Sequence, residues 1–187
     1  MNFNPHSEYR GKHALLSASK YSWLNYTREQ LIDVIKNSVS AARGTELHDL
    51  AARLIKNKVK LPRSKRTFNR YINDSIGFRM TPEQVLFYSD RIYGTADGIS
   101  FTDGLLRIFD LKTGRIPAKM DQLKIYAALF CLEYEQEPDA IGIELRIYQN
   151  DDLFVEIPDP EEITSIMNRI IDFDQLIVQT LMESEDI

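Results

Sequence analysis

GTADGISFTDGLLRIFDLKTG, residues 94 to 114, reads as two apolar strands joined by Asp103-Gly104. Asp-Gly between such runs is a strong signal for a two-residue type I′ hairpin. With that loop Thr102 pairs with Leu105, and stepping back along both strands puts Asp97 directly opposite Asp110. Opposed side chains on one face stand about 4.5–5.5 Å apart, and like charges there destabilise the sheet, so a cation is expected between them. The strand period places Lys112 on the same face as Asp110, with Ile108 and Leu106 behind it. The other face, Leu105, Arg107, Phe109 and Leu111, is also mostly apolar, which predicts a central strand covered on both sides.

Two facing carboxylates with a lysine one step beyond suit a hard divalent cation, Mg²⁺ or Mn²⁺, and cation-assisted hydrolysis of a phosphoryl group. The plainer reading is a salt bridge in which Lys112 neutralises one carboxylate, and Asp-x-Lys alone favours it. The hairpin register brings in Asp97 independently, although a bulge would shift the pairing.

Working outward, three helical stretches are predicted before the hairpin: SASKYSWLNY, capped by Ser17 or Ser19, then TREQLIDVIKNS, capped by Thr27, then SAARGTELHDLAARLIKNK. From Leu61 to Ile76 the helical pattern fails, so residues 61–82 read as a basic loop or mobile insertion. EQVLFYS is a further strand, and AKMDQLKIYAALFCLEY returns to helical spacing. AIGIELRIYQ and LFVEIP flank Asn150-Asp151 as a second hairpin. The last segment carries Ile163, Ile166, Ile170, Ile177 and Leu181 at helical spacing, which predicts a helix packed on the sheet; a partner-binding surface is the alternative. The expected fold is α/β with a central mixed sheet, in the order α-α-α-β-β-β-α-β-β-α.

Composition fits an ordinary globular protein, 43% hydrophobic and 27% charged, and 187 residues suit one domain. No apolar run approaches the ~20 residues of a membrane helix, and the first residues lack the apolar core of a signal peptide, so no membrane partner and a cytoplasmic location are expected. The single cysteine, Cys131, falls in an apolar helical stretch and reads as a buried structural thiol; it excludes four-cysteine zinc and iron-sulfur sites within one chain. The net charge of −5 is unevenly spread. Between Arg53 and Arg70 there are eight Lys or Arg and no acid, whereas Glu161 to the end holds seven acids and one Arg. The basic stretch is a candidate phosphate-binding segment, with Phe68 and Tyr71 available to stack on bases; a solvated loop is the competing reading.

GTADGI followed by FDLKTG resembles the PD-(D/E)XK nuclease superfamily, in particular its RecB-like exonuclease branch. The spacing from Asp97 to Asp110 to Lys112 matches that branch. GTELHDLAARL resembles its N-terminal helical motif, DQLKIYAAL its glutamine-tyrosine motif, and LSASKYSWLNY its Ser-x-Ser opening, so the resemblance spans about residues 15 to 149. The superfamily's eponymous proline is Ala96 here.

The resemblance implies a restriction-endonuclease-like core, αβββαβ, preceded by N-terminal helices (15–60, with the His motif) and the basic loop (61–82). A catalytic sheet and helix (83–157) and a C-terminal helix (161–183) would complete a single nuclease domain, residues 1–187. It further implies a Mg²⁺- or Mn²⁺-dependent deoxyribonuclease acting on single- or double-stranded DNA with a free end. It would carry no iron-sulfur cluster, and would be a stand-alone enzyme of the phage or mobile-element kind, in the host cytoplasm if phage-encoded. By resemblance the metal ligands are His48, Asp97, Asp110 and the Leu111 backbone carbonyl, and the catalytic residues are Lys112, Asp110, Asp97, Gln122 and Tyr126. Gln122 and Tyr126, four apart on one helical face, would meet near the site. Glu46, two residues from His48, points elsewhere and is expected to be structural or to support the ligands from behind. Lys56, Lys58, Lys60, Arg63, Lys65, Arg66 and Arg70 are the candidate nucleic-acid contacts. The rival class is a catalytically silent nuclease-fold protein that binds DNA ends or a partner protein, and a third reading is a non-nucleolytic phosphohydrolase.

Overall fold

A computed structural model of the chain describes residues 4–9, 11–114 and 116–185. It forms two compact units, residues 1–46 and residues 47–187. In the first, Ala18–Asn25 is a 3₁₀ segment with a kink at Lys20, in place of the first expected α-helix. Neither candidate cap is used there: the Ser17 and Ser19 hydroxyls bond each other, and the Ser17 carbonyl accepts from the Trp23 indole. Helix α1, Arg28–Lys56, starts in this unit and ends in the other. Its start is a capping box, with Thr27 and Gln30 each accepting the other's backbone N–H.

The second and third expected helices are therefore one. Nothing between Asn37 and Ser40 stops a helix, and a single glycine, Gly44, costs only about 1 kcal/mol in its interior.

The second unit is built on a five-stranded mixed sheet. Strands β1 (Thr81–Ser89), β2 (Ile92–Thr102) and β3 (Leu105–Leu111) form an antiparallel meander. Helix α3 (Asp121–Glu133) crosses to β4 (Gly142–Gln149), parallel to β3, and β5 (Asp152–Glu156) closes the sheet antiparallel to β4. The spatial order follows the sequence, so β3 is central, and its residues from Leu106 on are buried apart from Arg107. Both hairpins turn as their sequences demand: Asp103 and Gly104 have φ +52° and +73°, and Asn150 and Asp151 +52° and +63°.

Two cores flank the sheet. Under α3 lie Leu106, Ile108, Leu145 and Ile147 with Leu123, Ala127 and Ala128. On the other face Phe109, Leu111 and Tyr148 pack with Ala51 and Ile55 of α1 and with Tyr71 and Ile72. Those last two belong to α2, Thr67–Gly77, which occupies the middle of the stretch read from sequence as a basic loop. Phe68, Tyr71, Ile72 and Ile76 repeat at helical spacing toward this core. The Asp151 carboxylate accepts the Thr67 N–H and so completes the first turn of α2.

Helix α4, Pro160–Glu185, packs chiefly on α3 rather than directly on the sheet. Ile163 and Ile170 are buried, but Ile177 and Leu181 are exposed, contrary to expectation. At 1.5 Å per residue α4 is about 39 Å long against about 20 Å for α3, so its last turns overhang. Cys131 is buried in the α3 core, which pushes its thiol up to about 11. Among the described residues, no helix is long and apolar enough to cross a membrane.

Candidate metal centre

The β2–β3 ladder runs from Thr102/Leu105 back to Gly98/Phe109 and stops one pair short of Asp97 and Asp110. There the strands part. The Leu111 N–H donates at 2.8 Å to Asp97 Oδ2, and the Asp97 carbonyl accepts the Tyr71 hydroxyl at 2.9 Å. Asp97 thus substitutes its side chain for a ladder partner and fixes the Leu111 backbone.

The irregularity extends into β1. The ladder between β1 and β2 holds Pro82/Gly98 and Gln84/Ala96 but omits Glu83 and Asp97, and Glu83 has φ +54°. Leu86 and Ala96 lie in the core under α3. A Cβ on Gly98 would instead meet Tyr71, Phe109 and Met80, on the opposite face. Ala96 and Gly98 would share a face in an unbroken strand, so the ribbon turns over at Asp97. A non-glycine residue held at positive φ within a strand is strained, and such strain concentrates at functional sites.

The turn-over brings Glu83 to Asp97 and His48. One ligand atom from each of His48, Glu83 and Asp97 lies within 4.8 Å of the others. His48 Nδ1 is 3.3 Å from Asp97 Oδ1, and this carboxylate is the main cause of the raised His48 pKa. Glu83 is also raised, by burial first and then by Asp97. Sequence reasoning missed Glu83; its one trace was Pro82, since proline inside a strand marks an edge or a bulge.

Asp110 is 2% exposed. Its Oδ1 receives Lys112 Nζ at 3.0 Å, while Oδ2 is buried with no hydrogen-bond partner among the described residues. Burial, then Asp97, raise its pKa to about 6 against the opposing pull of Lys112. His48, Glu83 and Asp97 could together hold a divalent cation: carboxylate oxygens are donors of the kind that Mg²⁺ or Mn²⁺ takes, while the imidazole nitrogen is a donor more typical of transition metals, and the unpartnered Asp110 oxygen is a further acceptor outside that group.

From the other face α3 supplies the expected pair. Lys112 Nζ donates to Gln122 Oε1 at 2.8 Å, and Gln122 Nε2 donates to the Tyr126 hydroxyl at 2.9 Å. Tyr126 lies against Gly94, where an added Cβ would come 2.8 Å from its Cε1. Asp110, Lys112, Gln122 and Tyr126 therefore form one connected chain. Beyond Lys112 the loop is held by buried Gln149, which donates to the Gly114 and Ile116 carbonyls and accepts the Ala118 N–H.

Of the basic candidates, Lys56 ends α1, and Lys58, Lys60, Arg63, Lys65 and Arg66 are exposed on the connection to α2. That connection is pinned by reciprocal bonds between Asn73 and the Leu61 backbone, so it is not a loose insertion. Arg70 lies within α2, 3.8 Å from Asp74. No family model, no curated protein and no solved structure matches this chain.

Proposed function

We propose that this chain is a Mg²⁺- or Mn²⁺-dependent deoxyribonuclease of the restriction-endonuclease-like kind, in its RecB-like branch, acting at DNA ends in the cytoplasm. The observation that carries the reading is the cluster of His48, Glu83 and Asp97 where β2 and β3 part, with Asp110, whose Oδ2 has no partner among the described residues, and Lys112 at the end of the neighbouring strand. The element order α-β-β-β-α-β, with β3 and β4 parallel, agrees with such a core.

His48, Glu83, Asp97 and Asp110 would hold the cation, with the Leu111 carbonyl as a further candidate. When bound, the ion polarises a phosphoryl oxygen and lowers the pKa of water. Lys112, oriented by Asp110 and Gln122, places the attacking water and stabilises charge on the phosphate. A water oxygen bonds to phosphorus, the bond from phosphorus to the leaving sugar oxygen breaks, and that oxygen takes up a proton. Tyr126 and Gln122 hold the lysine and line the strand's approach, and the exposed cations from Lys56 to Arg66 bind neighbouring phosphates.

The catalytically silent binder has one observation in its favour: the Lys112–Asp110 ion pair satisfies one carboxylate oxygen without any metal. It leaves the other oxygen unexplained.

The discriminating experiment incubates the protein with Mn²⁺ and end-labelled linear DNA, single- and double-stranded, beside a closed circle, with Lys112→Ala as control. Ladders or mononucleotides that vanish in the variant are expected. Cutting of the circle would reassign the enzyme as an endonuclease. DNA binding without variant-sensitive cleavage would favour the silent binder.

A further inference from the structure

The β1–β2 ribbon carries an exposed aromatic pair on the face away from α3. Phe87 and Tyr93 are cross-strand partners with stacked rings, centroids 6.4 Å apart and planes 26° from parallel. They are 44% and 63% exposed. Their neighbours Leu86 and Gly94 point to α3, so the rings share the face from which α1 brings His48. The next outward pair toward the metal centre, Val85 and Thr95, is also exposed, and the position beyond it is Glu83 and Asp97. Rings and ligands lie four positions apart on each strand, about 13 Å at 3.3 Å per residue.

Three observations bear on what covers this strip. The strand edge is closed to pairing, because the Phe87 N–H donates to Glu133 Oε2 at 2.8 Å, Pro82 has no N–H, and Glu83, at positive φ, drops out of the ladder. A docking peptide strand therefore finds little backbone to bond, while the rings, stacked on each other, keep their outer surfaces exposed. Next, Arg53 and Lys56 of α1, with Asp49 and Ala52, line an open depression of about 390 Å³ against Glu83, which places cations beside the ligands. Finally, the strip is continuous with the metal centre along the same two strands.

Exposed aromatic rings, cations at the ligand end of the strip and a path to the ligands are what single-stranded nucleic acid requires. We infer that this strip receives a single-stranded end, with bases stacked on Tyr93 and Phe87 and the backbone against Arg53 and Lys56; as a substrate path it rests on the nuclease reading. Bases in a duplex are already paired and stacked, so the rings select against it. The competing role is structural, since a cross-strand aromatic pair also stabilises a hairpin.

The test measures binding of a short fluorescent oligo(dT), and of a duplex of equal length, to the Lys112→Ala protein with and without Phe87→Ala/Tyr93→Ala. A loss of about tenfold or more on the single strand is expected, with duplex binding unchanged, and Phe87→Tyr/Tyr93→Trp retaining affinity. Unchanged single-strand binding, equal losses on both substrates, or failure of the aromatic swap would overturn the inference. So would a wild-type dimer in gel filtration that the alanine variant dissolves, which would make the rings a self-interface. Cleavage sensitive to Lys112→Ala but indifferent to the rings sinks this inference alone. Ring-dependent single-strand binding without such cleavage upholds the strip as a binding site and sinks only the nuclease.

Discussion

Asp110 carries the sharpest conflict in the molecule: a carboxylate shut from water, half satisfied by Lys112 and repelled by the charge of Asp97. An unfolded aspartate titrates near 3.9, whereas Asp110 in the fold titrates at about 6. Between those values the native chain keeps a proton that the unfolded chain has released, so metal-free stability falls as pH rises through this window and stays lower above it. The gap between the two titration points corresponds to roughly 3 kcal/mol at most. Asp110→Asn should therefore abolish cleavage yet melt above the parent at pH 7, with the advantage fading toward pH 4. Thermal melts across that range check it; a variant that melts lower at pH 7, or cleaves normally, sinks the assignment. At this scale Asp97, Asp110 and Lys112 follow from hairpin register and strand period, although the ladder stops one pair short of the two aspartates, whereas His48, Gln122 and Tyr126 were named only through the family resemblance. Glu83 was not, because its place depends on a backbone turn-over that no side-chain alternation encodes.

Elements were readable in proportion to how local their signals are. Asp103-Gly104 and Asn150-Asp151 force their turns by their own φ angles, and both hairpins form as the sequence predicts. Helix α2 was hidden because the cations around it suggested a loop, while its apolar period spans only Phe68 to Ile76. The 3₁₀ segment at Ala18–Asn25 failed expectation for the opposite reason, since its serines offer caps that the backbone does not use. The seat of α3 on β2 supplies a prediction of its own. A methyl at Gly94 would meet Tyr126 Cε1 at 2.8 Å, so Gly94→Ala must move the ring and unseat Gln122 from Lys112. Overpacking of this kind costs about 1–3 kcal/mol. A misplacement near 1 Å costs up to about a hundredfold in rate, so cleavage should drop by roughly tenfold to a hundredfold in a folded protein. Tyr126→Phe, which removes the hydroxyl without crowding, separates loss of that hydrogen bond from displacement of the ring. Full activity in Gly94→Ala would remove Tyr126 from the site's working parts.

For the whole molecule, the carboxylate repulsion and the strain at Glu83 weigh against the fold, and a bound cation would offset the repulsion. Binding to the native state alone stabilises by about 2.7 kcal/mol when the free ion is at a hundred times its dissociation constant. For a chain of this length, each kcal/mol shifts the melting midpoint by about 2–4 °C. Mn²⁺ should therefore raise the midpoint by about 5–10 °C near pH 7.5. All the candidate ligands lie within residues 47–187, so the shift should appear in the transition that reports on the sheet. Protons compete for the same atoms: His48, Glu83 and Asp110 all hold theirs more tightly than free side chains do. Ion affinity must then fall as pH drops through about 6, and by about pH 5 the shift should be nearly gone. His48→Ala and Glu83→Gln should each reduce it at pH 7.5, whereas Lys112→Ala should preserve or increase it by freeing Asp110. A Mn²⁺ shift of equal size in the His48 and Glu83 variants would place the ion elsewhere, and no shift in the parent would leave the Lys112–Asp110 pair as the true occupant of the strand end.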